Sequence, residues 1–121
     1  MKYLKQTTPF FIESPTITKL LSKIAPININ AITLGPLVIS SGPLSKEIKR
    51  HETIHWQQYL DCFIIGFPIL YLLYWLKGLF IYRDARIAYL LIPFEQEAYC
   101  KEHIEDYLVE RKRYSWLYYK M

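Results

Sequence analysis

Apolar positions recur at three- and four-residue intervals in "ESPTITKLLSKIAP", where Ile17, Leu20, Leu21 and Ile24 share one stripe. With Ser14 ahead of Pro15, the spacing predicts a short amphipathic helix that Pro26 stops. The period then changes. In "ININAITLGPLVISSGP" β-branched residues alternate with polar or small ones, and Gly35-Pro36 and Gly42-Pro43 mark turns. This predicts a strand near 30–34 and a second near 37–40, joined as a small hairpin or edge ribbon. Helical spacing returns in "SKEIKRHETIHWQQYLDCFII", with Ser45 as cap and Ile48, His51, Ile54, His55, Gln58 and Cys62 on one broad face. An uncharged run follows from Cys62 to Leu76 and ends at Lys77. It is shorter than the roughly 20 apolar residues of a spanning helix, and Gly66 and Pro68 interrupt it. Its two readings are a buried core helix or hairpin arm, and an interfacial helix anchored by Tyr71, Tyr74, Trp75 and Lys77. Residues 82–114 form a long charged amphipathic segment whose main helix opens at Pro93.

The order of elements predicts an α+β, mainly helical chain. At 121 residues, without repeats or low-complexity linkers, it forms a single domain over 1–121. The content of 52% hydrophobic and 17% aromatic residues excludes a disordered chain. The net charge of +4 is mild and gathers in "ERKRYSWLYYK", which reads first as a solvated face and otherwise as a contact for phosphates or an anionic membrane. No nucleic-acid partner is expected, and the oligomeric state stays open. Cys62 and Cys100 lack C-x-x-C spacing and read as buried thiols. The opening "MKYLKQTTPFFIESP" has no sustained apolar core of a signal peptide, so the expected compartment is the cytoplasm or a membrane surface facing it.

The candidate chemistry lies in "KRHETIHWQQ", residues 49–58. Residues four apart share a helix face, so His51 and His55 can present two nitrogens to one point. A catalytic zinc takes three protein ligands and one water, which Glu52 could deprotonate as general base. Two imidazoles and a carboxylate with an open position suit Zn²⁺ best. The third histidine, His103, reads as an exposed helix residue. For the third ligand "IPFEQEAYC" offers Glu95 or Glu97. Glu95 is preferred because it shares a face with small Ala98, which leaves room for a metal and two rings.

"HETIH" followed some forty residues later by "EQEAY" resembles the gluzincin zinc metallopeptidases, which pair an H-E-x-x-H helix with a glutamate on a second helix. The E-x-x-A pattern of Glu95 to Ala98 is similar to that of minimal minigluzincin domains. The resemblance covers roughly residues 28–105. It implies a zincin-like fold, His51, His55 and Glu95 as zinc ligands, Glu52 as catalytic base, and hydrolysis of peptide bonds. It further implies an edge strand over the active-site helix, where an extended peptide or protein substrate would lie along Thr33, Leu34, Leu37 and Val38. Four residues after the ligand glutamate such peptidases often carry an aspartate that orients the first histidine. Here that position is Tyr99, whose hydroxyl could make the same contact. The rival reading is a non-catalytic, metal-stabilised module that meets a membrane surface through residues 62–81 or binds another protein.

Overall fold

A computed structural model describes residues 8–24 and 30–121. In chain order these form β1 (Phe10–Glu13), α1 (Pro15–Ile24), β2 (Ala31–Leu34), β3 (Leu37–Ser40), α2 (Lys46–Asp61), α3 (Gly66–Tyr82), α4 (Ala85–Leu91), α5 (Pro93–Lys101) and α6 (Tyr107–Glu110), with a 3-10 turn at Ser115–Tyr118. The fold is α+β and mainly helical. The expected helix at 15–24, the two strands, the H-E-x-x-H helix and the helix opened by Pro93 are all present, while the stop at Pro26 lies outside the described residues.

The strand pair is not a free-standing ribbon. β2 and β3 pair antiparallel across a turn in which Gly35 takes a φ of 62°, a left-handed conformation that costs glycine little. The third strand, β1, joins the far side of β3 in parallel, pairing Phe10 with Leu37 and Glu13 with Ser40. The sheet order is therefore β1-β3-β2: β3 is central and β2 forms an outer edge.

The sheet lies against α2. Ser45 caps this helix, its hydroxyl accepting from the Ile48 N–H at 3.2 Å, and Glu47 sits in the first turn, where the helix dipole favours an anion. The buried set of α2 runs from His51 to Tyr59 without a gap, so the middle of the helix is covered by its neighbours on every face. Tyr59 stacks on Phe67 of α3 at 4.1 Å, Phe67 meets Phe94 of α5 at 4.5 Å, and Phe94 meets Trp116 at 4.6 Å. With Trp56 and Ile92 these rings form the core that clamps α2 to α5.

α3 turns away from α2 by 108°. No single helix among the described residues is long and apolar enough to cross a membrane. Gly78 permits α3 to pack closely on α4, since a Cβ there would fall 2.8 Å from that of Ala88.

Candidate metal centre

One helical turn separates His51 from His55, and their Nε2 atoms stand 3.2 Å apart. α5 brings in the third donor. Pro93 opens it and Phe94 anchors it in the core, so Glu95 falls in the first turn facing α2. Its Oε1 lies 3.2 Å from His51 Nε2 and 3.1 Å from His55 Nε2. All three side chains are buried. Two ligands at a zinc bond length of about 2.0–2.1 Å, spread at the tetrahedral angle, are about 3.3 Å apart. The triangle therefore has the size that a small divalent ion requires.

The surrounding hydrogen bonds fix what the triangle presents. His51 Nδ1 lies 2.7 Å from Glu102 Oε1, an acceptor, and His55 Nδ1 lies 2.8 Å from Gln58 Oε1. The Gln58 amide cannot be reversed, because its NH₂ donates to the Phe94 carbonyl at 3.0 Å and to Glu97 Oε1 at 2.9 Å. Both rings thus carry their proton on Nδ1 and aim an Nε2 lone pair at the Glu95 carboxylate. Tyr71 donates to the other Glu95 oxygen at 2.6 Å and leaves Oε1 facing the rings. Three electron-rich atoms in contact require a cation between them.

Without a metal, a proton fills that need. Burial works against a charged His55, but Glu95 outweighs it, helped by Glu52 and Gln58, and the ring is raised to about 9. Glu95 is likewise held well below the usual carboxylate range: burial opposes its charge, and the two histidines more than offset it. A metal ion would compete with that proton.

Glu52 borders the triangle without belonging to it. Its Oε2 is 3.9 Å from His51 Nε2, and its Oε1 accepts from the Thr33 hydroxyl at 2.8 Å. The donor atoms of His51, Glu52 and His55 fall within 4.8 Å of one another, so these three could also hold an ion. Glu95 is the better third ligand because it is close to both imidazoles at once. The centre opens into a cavity of about 500 Å³ between β2 and α3, walled by Thr33, Leu34, Tyr71, Leu72 and Trp75 among others.

The other expected site residues separate. Thr33 and Leu34 stand on the cavity wall, and Thr33 touches Glu52. Leu37 and Val38 do not line the cavity: they belong to central β3, whose two edges are already paired with β1 and β2 and cannot receive a further strand. Tyr99 is not the residue that orients the first histidine. Its ring packs edge-on against His51 with centroids 4.5 Å apart, while its hydroxyl bonds that of Tyr89 at 2.8 Å. The orienting group is Glu102, two helical turns beyond Glu95. Glu97 is buried in a second cluster with Arg111 and Tyr107. His103 is exposed as expected, though in the turn after α5 rather than on a helix. The cysteines are free, but Cys62 is half-buried and Cys100 exposed, so neither is the buried thiol expected. The basic C-terminal stretch is not wholly a solvated face, because Arg111 and Trp116 lie inside.

Replacing Glu102 with Ala removes the acceptor of the His51 Nδ1 proton and should weaken metal binding about 10–100-fold, with Glu102→Gln recovering part of the loss. Competition against a chromophoric chelator measures this, and an unchanged affinity in the alanine variant would deny Glu102 the role.

No protein-family model, curated protein or solved structure matches the chain.

Proposed function

We propose that this protein is a zinc-dependent hydrolase of peptide bonds, with the ligand arrangement of the gluzincins on a minimal domain. The observation that carries the reading is the equal-sided triangle of His51 Nε2, His55 Nε2 and Glu95 Oε1, with both Nδ1 atoms held by acceptors. His51, His55 and Glu95 would hold the metal, which supplies a polarised water and a Lewis acid for the carbonyl.

The chain's own groups supply the rest. The substrate would lie along β2, whose outer edge is unpaired among the described residues, with its scissile carbonyl over the mouth of the triangle. Glu52 takes the proton of the attacking water and hands it to the departing amine, while Thr33 keeps the carboxylate turned toward the cavity. Burial of the three ligands and Glu52 excludes bulk water and strengthens each electrostatic contact. The apolar wall of Leu34, Leu72 and Trp75 favours a hydrophobic side chain next to the cleaved bond.

As purified, the chain should carry close to one zinc per molecule by mass spectrometry of the metals, and His55→Ala should carry none. The loaded protein should cleave an unfolded, fluorescently labelled polypeptide, and a chelator should stop it. Zinc retained with no cleavage of such substrates would favour the rival reading of a metal-stabilised binding module.

A further inference from the structure

The helix that walls the cavity is apolar on two sides, and only one side is used within the molecule. Phe67, Leu70, Tyr71, Tyr74 and Trp75 of α3 turn inward to the core. On the opposite side Ile69, Leu72, Leu73, Leu76 and Phe80 follow the i, i+3, i+4, i+7, i+11 rule and form one continuous stripe. Between 48% and 83% of each of these five residues is exposed. The stripe amounts to on the order of 600 Å², as much as the largest apolar patch of an ordinary monomer. The loop that leads into α3 extends it, presenting Phe63, Ile64 and Ile65 to solvent. There Phe63 and Ile64 adopt φ values of 57° and 67°. For β-branched Ile64 this left-handed backbone is strained; its N–H bonds back to the Tyr59 carbonyl at 2.7 Å and closes the end of α2, while 44% of the residue stays exposed.

The charges around the stripe identify what covers it. Lys77 lies on the same helix as the stripe, Arg83 caps that helix and Arg86 sits in the first turn of the next; all three are exposed, and the Arg113 guanidinium stands 5.6 Å over the Phe63 ring. Of the eleven acidic residues in the chain, Asp84 alone lies between residues 62 and 94, and its carboxylate is engaged in capping α4. A second copy of the chain would oppose these cations with its own. Anionic headgroups complement them, and the long Lys and Arg side chains can rise to the headgroups while the stripe enters the acyl boundary.

We infer that α3 is a membrane-docking helix that lies in the surface of an anionic bilayer, with Phe63–Ile65 and the stripe Ile69, Leu73, Leu76 and Phe80 immersed and Lys77, Arg83 and Arg86 at headgroup level. Leu72 belongs to both the stripe and the cavity wall, so docking brings the mouth of the metal centre to the interface. A membrane-tethered polypeptide is then the substrate class, a consequence that rests on the peptidase reading; the docking itself does not.

The test is flotation of the full chain with vesicles of phosphatidylcholine alone and of phosphatidylcholine with a quarter phosphatidylglycerol. Wild type should float with the anionic vesicles, and its partition should fall steeply as salt rises. Leu73→Glu/Leu76→Glu/Phe80→Glu, all at outward positions, should lower binding at least tenfold while the circular dichroism spectrum and zinc content stay unchanged. Lys77→Gln/Arg83→Gln/Arg86→Gln should remove the preference for anionic vesicles at roughly fivefold per charge. Should the glutamate variant misfold, Phe80→Trp replaces it: brominated acyl chains should quench that indole. Three results overturn the inference: no flotation of wild type with anionic vesicles, equal flotation of the glutamate variant, or a wild-type dimer in light scattering that this variant dissociates. None of these readouts depends on hydrolysis, so failure of the docking and failure of the peptidase reading are told apart.

Discussion

Glu52→Gln should reduce the rate of peptide hydrolysis by about 10²–10⁴, the usual contribution of a positioned general base, and leave the zinc content unchanged. The substitution is nearly isosteric. The amide oxygen can still accept from the Thr33 hydroxyl, which now bonds Glu52 Oε1 at 2.8 Å, so the local packing persists and only the proton acceptor is removed. None of the three proposed ligands changes. Paired assays of activity and metal content separate the outcomes. Undiminished hydrolysis would deny Glu52 the part of base. Loss of zinc together with activity would instead make Glu52 a ligand, which the 4.8 Å spread of the His51, Glu52 and His55 donors makes a definite alternative. In the proposed arrangement zinc stays and turnover goes.

Most of the framework is legible in the residues because local signals and packing agree. Ser14-Pro15, Ser45 and Pro93 each set a helix start by capping or by fixed φ, and α1, α2 and α5 begin there. The Gly35-Pro36 turn sets the β2-β3 register for a similar reason. β1 is not legible because "FFIE" has no buried face, so its side chains carry no alternation; its place depends on backbone pairing with a strand more than twenty residues away. The juxtaposition of His51, His55 and Glu95 is legible from spacing along α2 and from the position of Glu95 after Pro93. Its supports are less so. Glu102 shares a helix face with Glu95 at seven residues' separation, a spacing that competes with the nearer Tyr99 at four. Tyr71 and Thr33 reach the site through chain crossings that periodicity does not encode. The outward stripe of α3 was visible only as a uniformly apolar run, because residues facing the core and residues facing solvent have the same character there.

The largest stability effect should come from a residue that sequence placed on a solvated tail. Arg111 is 2% exposed. Its guanidinium donates to Glu97 Oε2 at 2.6 Å and Oε1 at 3.0 Å, and to Asp61 Oδ2 at 2.8 Å. Burial opposes its charge, but Glu97 and Asp61 more than compensate and hold it firmly protonated. Arg111→Met fills the volume and strands two buried carboxylates. Removing one partner of such a pair costs about 3–5 kcal/mol, a large share of the roughly 5–15 kcal/mol that holds a domain of this size folded. Urea unfolding should show this loss, and the triple variant Arg111→Met/Asp61→Asn/Glu97→Gln should recover about half or more, because neutral amides need no counter-charge. Equal destabilisation of the single and triple variants would mean that Arg111 contributes by packing rather than by charge. The cluster also reaches the metal centre: Glu97 holds the Gln58 amide, and Gln58 holds His55 Nδ1. Arg111→Met that remains folded should therefore bind zinc more weakly than wild type, although residue 111 touches none of the proposed ligands.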